Sequence, residues 1–391
     1  MSNFRLLTLI SAVAFVAVGV TSPLVSLYLQ SLGASYQEIS LILTSVVAVS
    51  LVASYLWGRL SDRLKRRKPV LIAGLFLLAL AFLLLSRAAN PTFAWASRIL
   101  EGIGAAAFST LSLTMMGDLL ESHTNRGRSM GVFRGIGSFA FAIGAVVGGR
   151  IADAYSLSSV FVLCAILYVI AGLAALALKE QPPRLAPTES PALVQPTRKV
   201  RELPIFFLIG VFLWMAAHMG STSMWPNYMN SLGYTKSAIG SLWGLAAFIE
   251  MPAMYLAGMA SDVVGRAMVM AAGGFLIALV QVGYLTLAGI LPALLGVQVI
   301  RGFGYASYTA TAMTYTAEIG AQQTRGRRSG VFNTVGSAGQ LMGLLMGGTI
   351  VQVLGFSALY VVCMVLALGS AFCFLALRQN QTKPQPAETN V

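Results

Sequence analysis

The sequence predicts an all-α membrane protein in which twelve transmembrane helices form two pseudo-symmetric six-helix bundles. Composition is the first observation behind this class. Of 391 residues, 57% are hydrophobic and 10% charged, and the mean hydropathy is +0.77, whereas about a quarter of a water-soluble chain is charged. The second is the recurrence of apolar runs about 20 residues long, the length a helix needs to cross a hydrocarbon layer of about 30 Å. The third is an internal register in which residues 200 positions apart repeat one another.

Six runs occupy 6–30, 37–58, 69–88, 92–117, 129–150 and 157–178. Six more occupy 204–229, 238–260, 267–289, 291–316, 329–350 and 354–377. The first follows Arg5 like a signal peptide, but it is too long for an h-region and has no small-residue cleavage site, so it is expected to stay as a helix. Between the sixth and seventh runs, 180–203 carries Pro182, Pro183, Pro187, Pro191 and Pro196 among charged and small polar residues and reads as a linker. The expected domains are therefore bundles at 1–179 and 204–379, joined by that linker and followed by a tail at 380–391.

The repeat supports this division. Ser31-Leu32-Gly33 returns as Ser231-Leu232-Gly233, Gly58, Ser61 and Asp62 return as Gly258, Ser261 and Asp262, and Gly102-Ile103-Gly104 returns as Gly302-Phe303-Gly304. Past one indel the offset is 199, matching Arg126-Gly127-Arg128 to Arg325-Gly326-Arg327 and Gly148-Gly149 to Gly347-Gly348. Ala140, Gly144 and Gly148 on the fifth helix, and Gly339, Gly343 and Gly347 on the eleventh, form small-residue ridges that let helices approach closely, as static packing or as a moving seam.

A formal charge of +13 would point to nucleic acid in a soluble protein. Here the cations lie on one side. Arg59, Arg63, Lys65, Arg66, Arg67, Lys68, Arg126, Arg128, Lys179, Arg184, Arg198, Lys199, Arg201, Arg266, Arg325, Arg327 and Arg328 sit on the even-numbered connections, against Arg87, Arg150 and Lys236 on the odd ones. By the positive-inside rule both termini and the linker are expected to face the cytoplasm of a multi-pass inner-membrane protein. The basic loops then serve as topology signals and headgroup contacts, and no nucleic-acid partner is expected. Cys164, Cys363 and Cys373 fall inside helices without metal-like spacing, so they are expected to be packing residues.

The run Gly58-Arg59-Leu60-Ser61-Asp62-Arg63-Leu64-Lys65-Arg66-Arg67, echoed at Gly258-Met259-Ala260-Ser261-Asp262-Val263-Val264-Gly265-Arg266, resembles the loop signature between the second and third helices of the major facilitator superfamily. Arg98-Ile99-Leu100-Glu101-Gly102-Ile103-Gly104 is similar to its helix-four signature. Gly144-Ala145-Val146-Val147-Gly148-Gly149 is similar to its helix-five antiporter motif, with Ala145 where proline is usual. The resemblance spans the whole chain. It implies that Gly58, Asp62, Arg63 and Arg66, with Gly258, Asp262 and Arg266, belong to gate loops, and that Asp118 or Glu121 and Arg325 or Arg327 are candidate partners of a cytoplasmic latch. Topology charge alone is the alternative. Physically, a glycine at 58 would let a neighbouring helix come close, and a carboxylate at 62 can accept from a helix N-terminus or pair with arginine. Within the superfamily, Glu250-Met251-Pro252, Arg134 and Trp225-Pro226 resemble features of the sugar efflux transporters.

Arg98, Glu101, Arg134, Glu250 and Arg301 fall deep in apolar runs. A charge at the bilayer centre costs about 2.5–3.5 kcal/mol on insertion scales, so each needs a partner, a watery cavity or a changed protonation state. Glu101 and Arg301 are repeat mates on helices four and ten, which the resemblance implies face each other across the pseudo-twofold, suggesting an ion pair between the halves or a shared solute site. Glu250 or Glu101 is the expected proton-coupling carboxylate, with Arg134 or Arg301 as counter-charge, and a permanent structural pair is the alternative, for Glu101 with Arg98 three residues away. Helical steps place Trp214, His218, Ser221, Trp225 and Tyr228 on one stripe, and Arg301, Tyr305, Tyr308 and Tyr315 on another. With Asn227, these aromatics can stack on sugar rings or on flat lipophilic cations, or serve as interface belts.

The expectation is therefore a secondary active transporter moving a small organic solute by alternating access, with proton-coupled efflux of a sugar or related metabolite as the leading reading. A multidrug-proton antiporter is the alternative, and a non-transporting receptor a third. The sequence carries no zinc-protease, nucleophile-elbow or phosphate-loop motif, so neither an enzyme nor any cofactor or metal is expected. The expected partners are a small solute, protons and the lipid bilayer, and the expected functional form is a monomer.

Overall fold

A computed structural model describes residues 3–120, 126–180, 203–319 and 325–382. The bulk of the expected linker and tail, Glu121, and the side chains of Arg126, Arg128 and Arg325 lie outside the described residues. Among those described, every long element is a helix: α1 (Asn3–Thr21), α2 (Val25–Ser31), α3 (Tyr36–Leu64), α4 (Lys68–Ser86), α5 (Pro91–Leu120), α6 (Arg126–Ala154), α7 (Leu157–Leu176), α8 (Ile205–Ser231), α9 (Lys236–Val264), α10 (Arg266–Thr286), α11 (Leu291–Glu318) and α12 (Arg325–Thr382).

Ten of these helices are long and apolar enough to cross a membrane. The last apolar stretch, Gly326–Leu377, has 52 residues, roughly 78 Å of helix, enough for two crossings. It is broken at Gly355, whose φ of 82° lies where only glycine sits without strain. The expected single run at 6–30 is also two pieces. Pro23 has no N–H to give and blocks the preceding turn, so the chain leaves helical geometry between Thr21 and Val25. Pro226 and Pro252, in contrast, sit inside continuous helices.

The repeat is visible in the helix ends. α3 stops at Leu64 and α9 at Val264, and each is followed by a left-handed residue, Lys65 at φ 49° and Gly265 at φ 93°. Two compact units emerge: Met1–Val194 with Ser223–Phe248 and Gly348–Val353, and Gln195–Thr222 with Ile249–Gly347 and Leu354–Val391. In the first unit α1 packs on α6 and α7, α4 on α5 and α7, and α3 on α5. Gly144 faces the backbone of Val16 and Val20, and Gly148 that of Val20, so a methyl group at either position would collide with α1. The second unit is built around Phe207, Val211, Trp214, Met270, Ile277, Tyr308 and Phe374.

Candidate functional site

In the second unit α8 and α11 bring four predicted lining residues together. The Trp214 ring stacks on Tyr308 with centroids 3.8 Å apart and on His218 at 4.9 Å, and Tyr305 lies 5.1 Å from His218. Trp214 and Tyr308 are almost wholly buried, His218 is buried, and Tyr305 is half-buried. Neither Trp214 Nε1 nor Tyr308 Oη has a hydrogen-bond partner among the described residues. Buried polar atoms are normally satisfied, so this aromatic box has two polar tips to offer. Tyr315, two turns further along α11's stripe, packs on Phe207 in the same apolar core and not on the box.

Arg301, one turn before Tyr305 on α11, is 4% exposed, and its charge acts on both His218 and Glu250. Helix spacing alone did not reveal its uncharged neighbours. Arg301 and Gln298 both reach Tyr284, and Ser221 Oγ meets Gln281 Oε1 at 2.8 Å, a buried polar layer shared by α8, α10 and α11. Ser221 lies on the stripe predicted for α8, whereas Tyr284, Gln281 and Gln298 carry no charge to mark them in an apolar run, and only their burial shows them. Glu250, on α9 just before Pro252, is half-buried.

The repeat mates of the α11 residues behave differently in the first unit. Glu101 forms an ion pair with Arg98 on its own helix, α5, and both are largely buried. Cys164 and Tyr168 of α7 feel that pair, and the thiol donates to the Ala17 carbonyl at 3.4 Å. Arg134 is exposed on α6 and has no ion-pair partner among the described residues. Trp225, Asn227 and Tyr228 also belong to this unit. Trp225 packs on Trp243, and Asn227 Nδ2 donates to Gln30 Oε1 at 2.8 Å and to the Ser26 carbonyl. The single stripe expected on α8 is thus divided between two settings.

At the loop signature, Asp118 is held by Arg67, not by Arg66, which is exposed along with Asp62 and Arg63. The two arginines are adjacent, and after the left-handed Lys65 it is Arg67 that reaches back to the end of α5, its guanidinium also donating to the Thr114 carbonyl at 3.4 Å. Burial draws the Arg67 guanidinium below its ordinary pKa, opposed by the nearby Asp62 charge. In the second unit Arg266 binds Glu318 at 2.7 Å and Asp262 at 2.6 Å. Glu318 lies 200 positions after Asp118, so the register that matched the loops could have found it. The expected close approach at Gly58 is not present: a methyl group there, or at Gly258, meets nothing within 4 Å among the described residues.

The family model of the Major Facilitator Superfamily matches residues 7–290 and again 207–390. The chain belongs to that superfamily. It is a multi-pass membrane transporter with the major facilitator fold, not an enzyme. Among related superfamily members, a protein named putative sugar efflux transporter from Deinococcus radiodurans is 28% identical over 380 residues, 93% of this chain and 95% of its own. The multidrug resistance protein MdtL of Salmonella paratyphi C is 29% identical over 160 residues, 40% of each chain. The crystal structure of the nucleoside transporter NupG superposes with a TM-score of 0.78 at 15% identity, covering 98% of this chain and 100% of that one, a likeness of fold.

Proposed function

We propose that this transporter exports a sugar or related small organic solute by alternating access, coupled to protons, working as a monomer with both termini on the cytoplasmic side of the inner membrane. Its working bundles are 1–179 and 204–379. The observation that carries the reading is the Trp214–His218–Tyr305–Tyr308 box in the same unit as the Arg301 and Glu250 charges. An aromatic face with unsatisfied N–H and O–H tips matches a sugar, whose C–H faces stack while its hydroxyls hydrogen-bond. The sugar efflux name of a relative aligned over nearly its full length supports the same substrate class. Glu250 takes the proton-coupling role, since a carboxyl group beside one cation in an apolar helix can exchange its proton for that contact when the surroundings change. Glu101, already tied to Arg98, serves as a structural charge in this reading.

Purified protein in vesicles with an imposed pH gradient tests this. Labelled mono- and disaccharides should move against their own gradient, and Glu250→Gln should abolish the driven flux while sparing solute exchange. Gradient-driven transport that Glu250→Gln leaves unchanged rejects the coupling role. The second reading, a multidrug-proton antiporter, is favoured by the MdtL match and by the same aromatic box, which also suits flat cations. Displacement of a fluorescent lipophilic cation, with no response to sugars, would select it.

A further inference from the structure

α3 has 29 residues, so its ends lie about 43 Å apart, and the loop signature occupies only one of them. At the other end the first unit holds two seams that the repeat makes equivalent. In one, the Asp153 carboxylate at the end of α6 accepts the backbone N–H groups of Lys236 at 3.0 Å and Ser237 at 2.7 Å, the first residues of α9. In the other, Gln352 Oε1 accepts the N–H of Tyr36 at 3.1 Å, the first residue of α3. Asp153 and Gln352 are 199 positions apart and Tyr36 and Lys236 are 200 apart, the offsets already seen in the glycine and loop repeats. Beside each cap the backbones touch. Ser40 Oγ accepts the Gly348 N–H at 2.6 Å, and a methyl group on Gly240 would strike the Ala145 carbonyl.

The first N–H groups of a helix have no acceptor within it. In α9, Thr235 provides for two of them, its hydroxyl for Ala238 and its carbonyl for Ile239. The Lys236 and Ser237 donors depend on Asp153, a residue of the other repeat. A carboxylate there also meets the positive end of the helix dipole, which the neutral Gln352 does not exploit. These hydrogen bonds are solvent-exposed, so water can take over each donor when a seam parts, and the contact is reversible at small cost.

We propose that Asp153 and Gln352 are a pseudo-symmetric pair of helix-capping latches that hold closed the end of the first unit opposite the loop signature, Asp153 being the stronger. Their use in a transport cycle rests on the alternating-access reading.

The test uses purified full-length protein with Cys164, Cys363 and Cys373 replaced by alanine and Ser26→Cys as reporter, a site buried at this end. A hydrophilic maleimide should label the reporter roughly tenfold faster when Asp153→Ala and Gln352→Ala are combined, a shift of about 1.4 kcal/mol in the opening equilibrium. Asp153→Ala alone should act more strongly than Gln352→Ala alone. Exchanging the two caps, Asp153→Gln with Gln352→Asp, should restore slow labelling. Where the alanine variants do not yield folded protein, Asp153→Asn, which keeps one acceptor oxygen, should label faster than its parent. Labelling at the parental rate in the double alanine variant, or in Asp153→Asn where only that variant folds, overturns the proposal. Faster labelling in protein that moves none of the labelled mono- and disaccharides, parent included, retains the latches and rejects the sugar-export reading.

Discussion

Arg66 and Arg67 are adjacent and chemically identical, yet only Arg67 reaches Asp118. Which of them pairs depends on the left-handed turn at Lys65, a backbone choice that charge patterning does not encode. Arg67 and Asp118 should therefore be non-additive in a double-mutant cycle read by thermal melting. The expected coupling is about 0.5–1 kcal/mol, given their partial exposure, while Arg66 and Asp118 should add independently. The aromatic box was legible as helical spacing on α8 and α11, but the exclusion of Tyr315 was not, because spacing names a face and not its neighbour. Trp214→Ala should cost about 3–5 kcal/mol of stability as a core deletion. Tyr308→Phe, which removes a hydroxyl with no hydrogen-bond partner among the described residues, should leave melting nearly unchanged and weaken solute binding, measured by titration, by about 0.5–1.5 kcal/mol.

Helix boundaries show the same division. The apolar runs located the crossings, since burying about 20 residues of backbone in lipid demands a helix wherever hydropathy is sustained. The break at Pro23 and the joining of the last two crossings across Gly355 depend on single backbone torsions. The small-residue ridge on α6 was legible, and the structure gives it a partner, α1. Gly144→Leu should lower the melting temperature strongly, because its side chain would enter the Val16 backbone, with an expected cost of about 3 kcal/mol or more. Gly58→Ala, whose methyl group meets nothing within 4 Å among the described residues, should leave melting unchanged or raise it slightly, since alanine is the better helix former inside α3. Gly265→Ala should cost about 1–2 kcal/mol through its positive φ rather than through packing.

For the whole molecule, a solute that binds one conformation stabilises it by mass action. On the sugar-export proposal, a transported sugar at a concentration 100 times its Kd should therefore raise unfolding stability by about 2.7 kcal/mol in a thermal-shift screen, and non-substrates should not. The sequence by itself determined the membrane class, the number of crossings, the duplication and the superfamily, because hydropathy and repeat register are properties of the linear chain that lipid reads directly. Only the tertiary structure decided which charges meet: Glu101 with Arg98, Arg67 with Asp118, Arg266 with Glu318, and Asp153 with the first turn of α9. Those pairings rest on hydrogen-bond geometry that works only within about 3 Å, and a displacement of one residue along a helix or a single left-handed turn redirects a side chain by more than that.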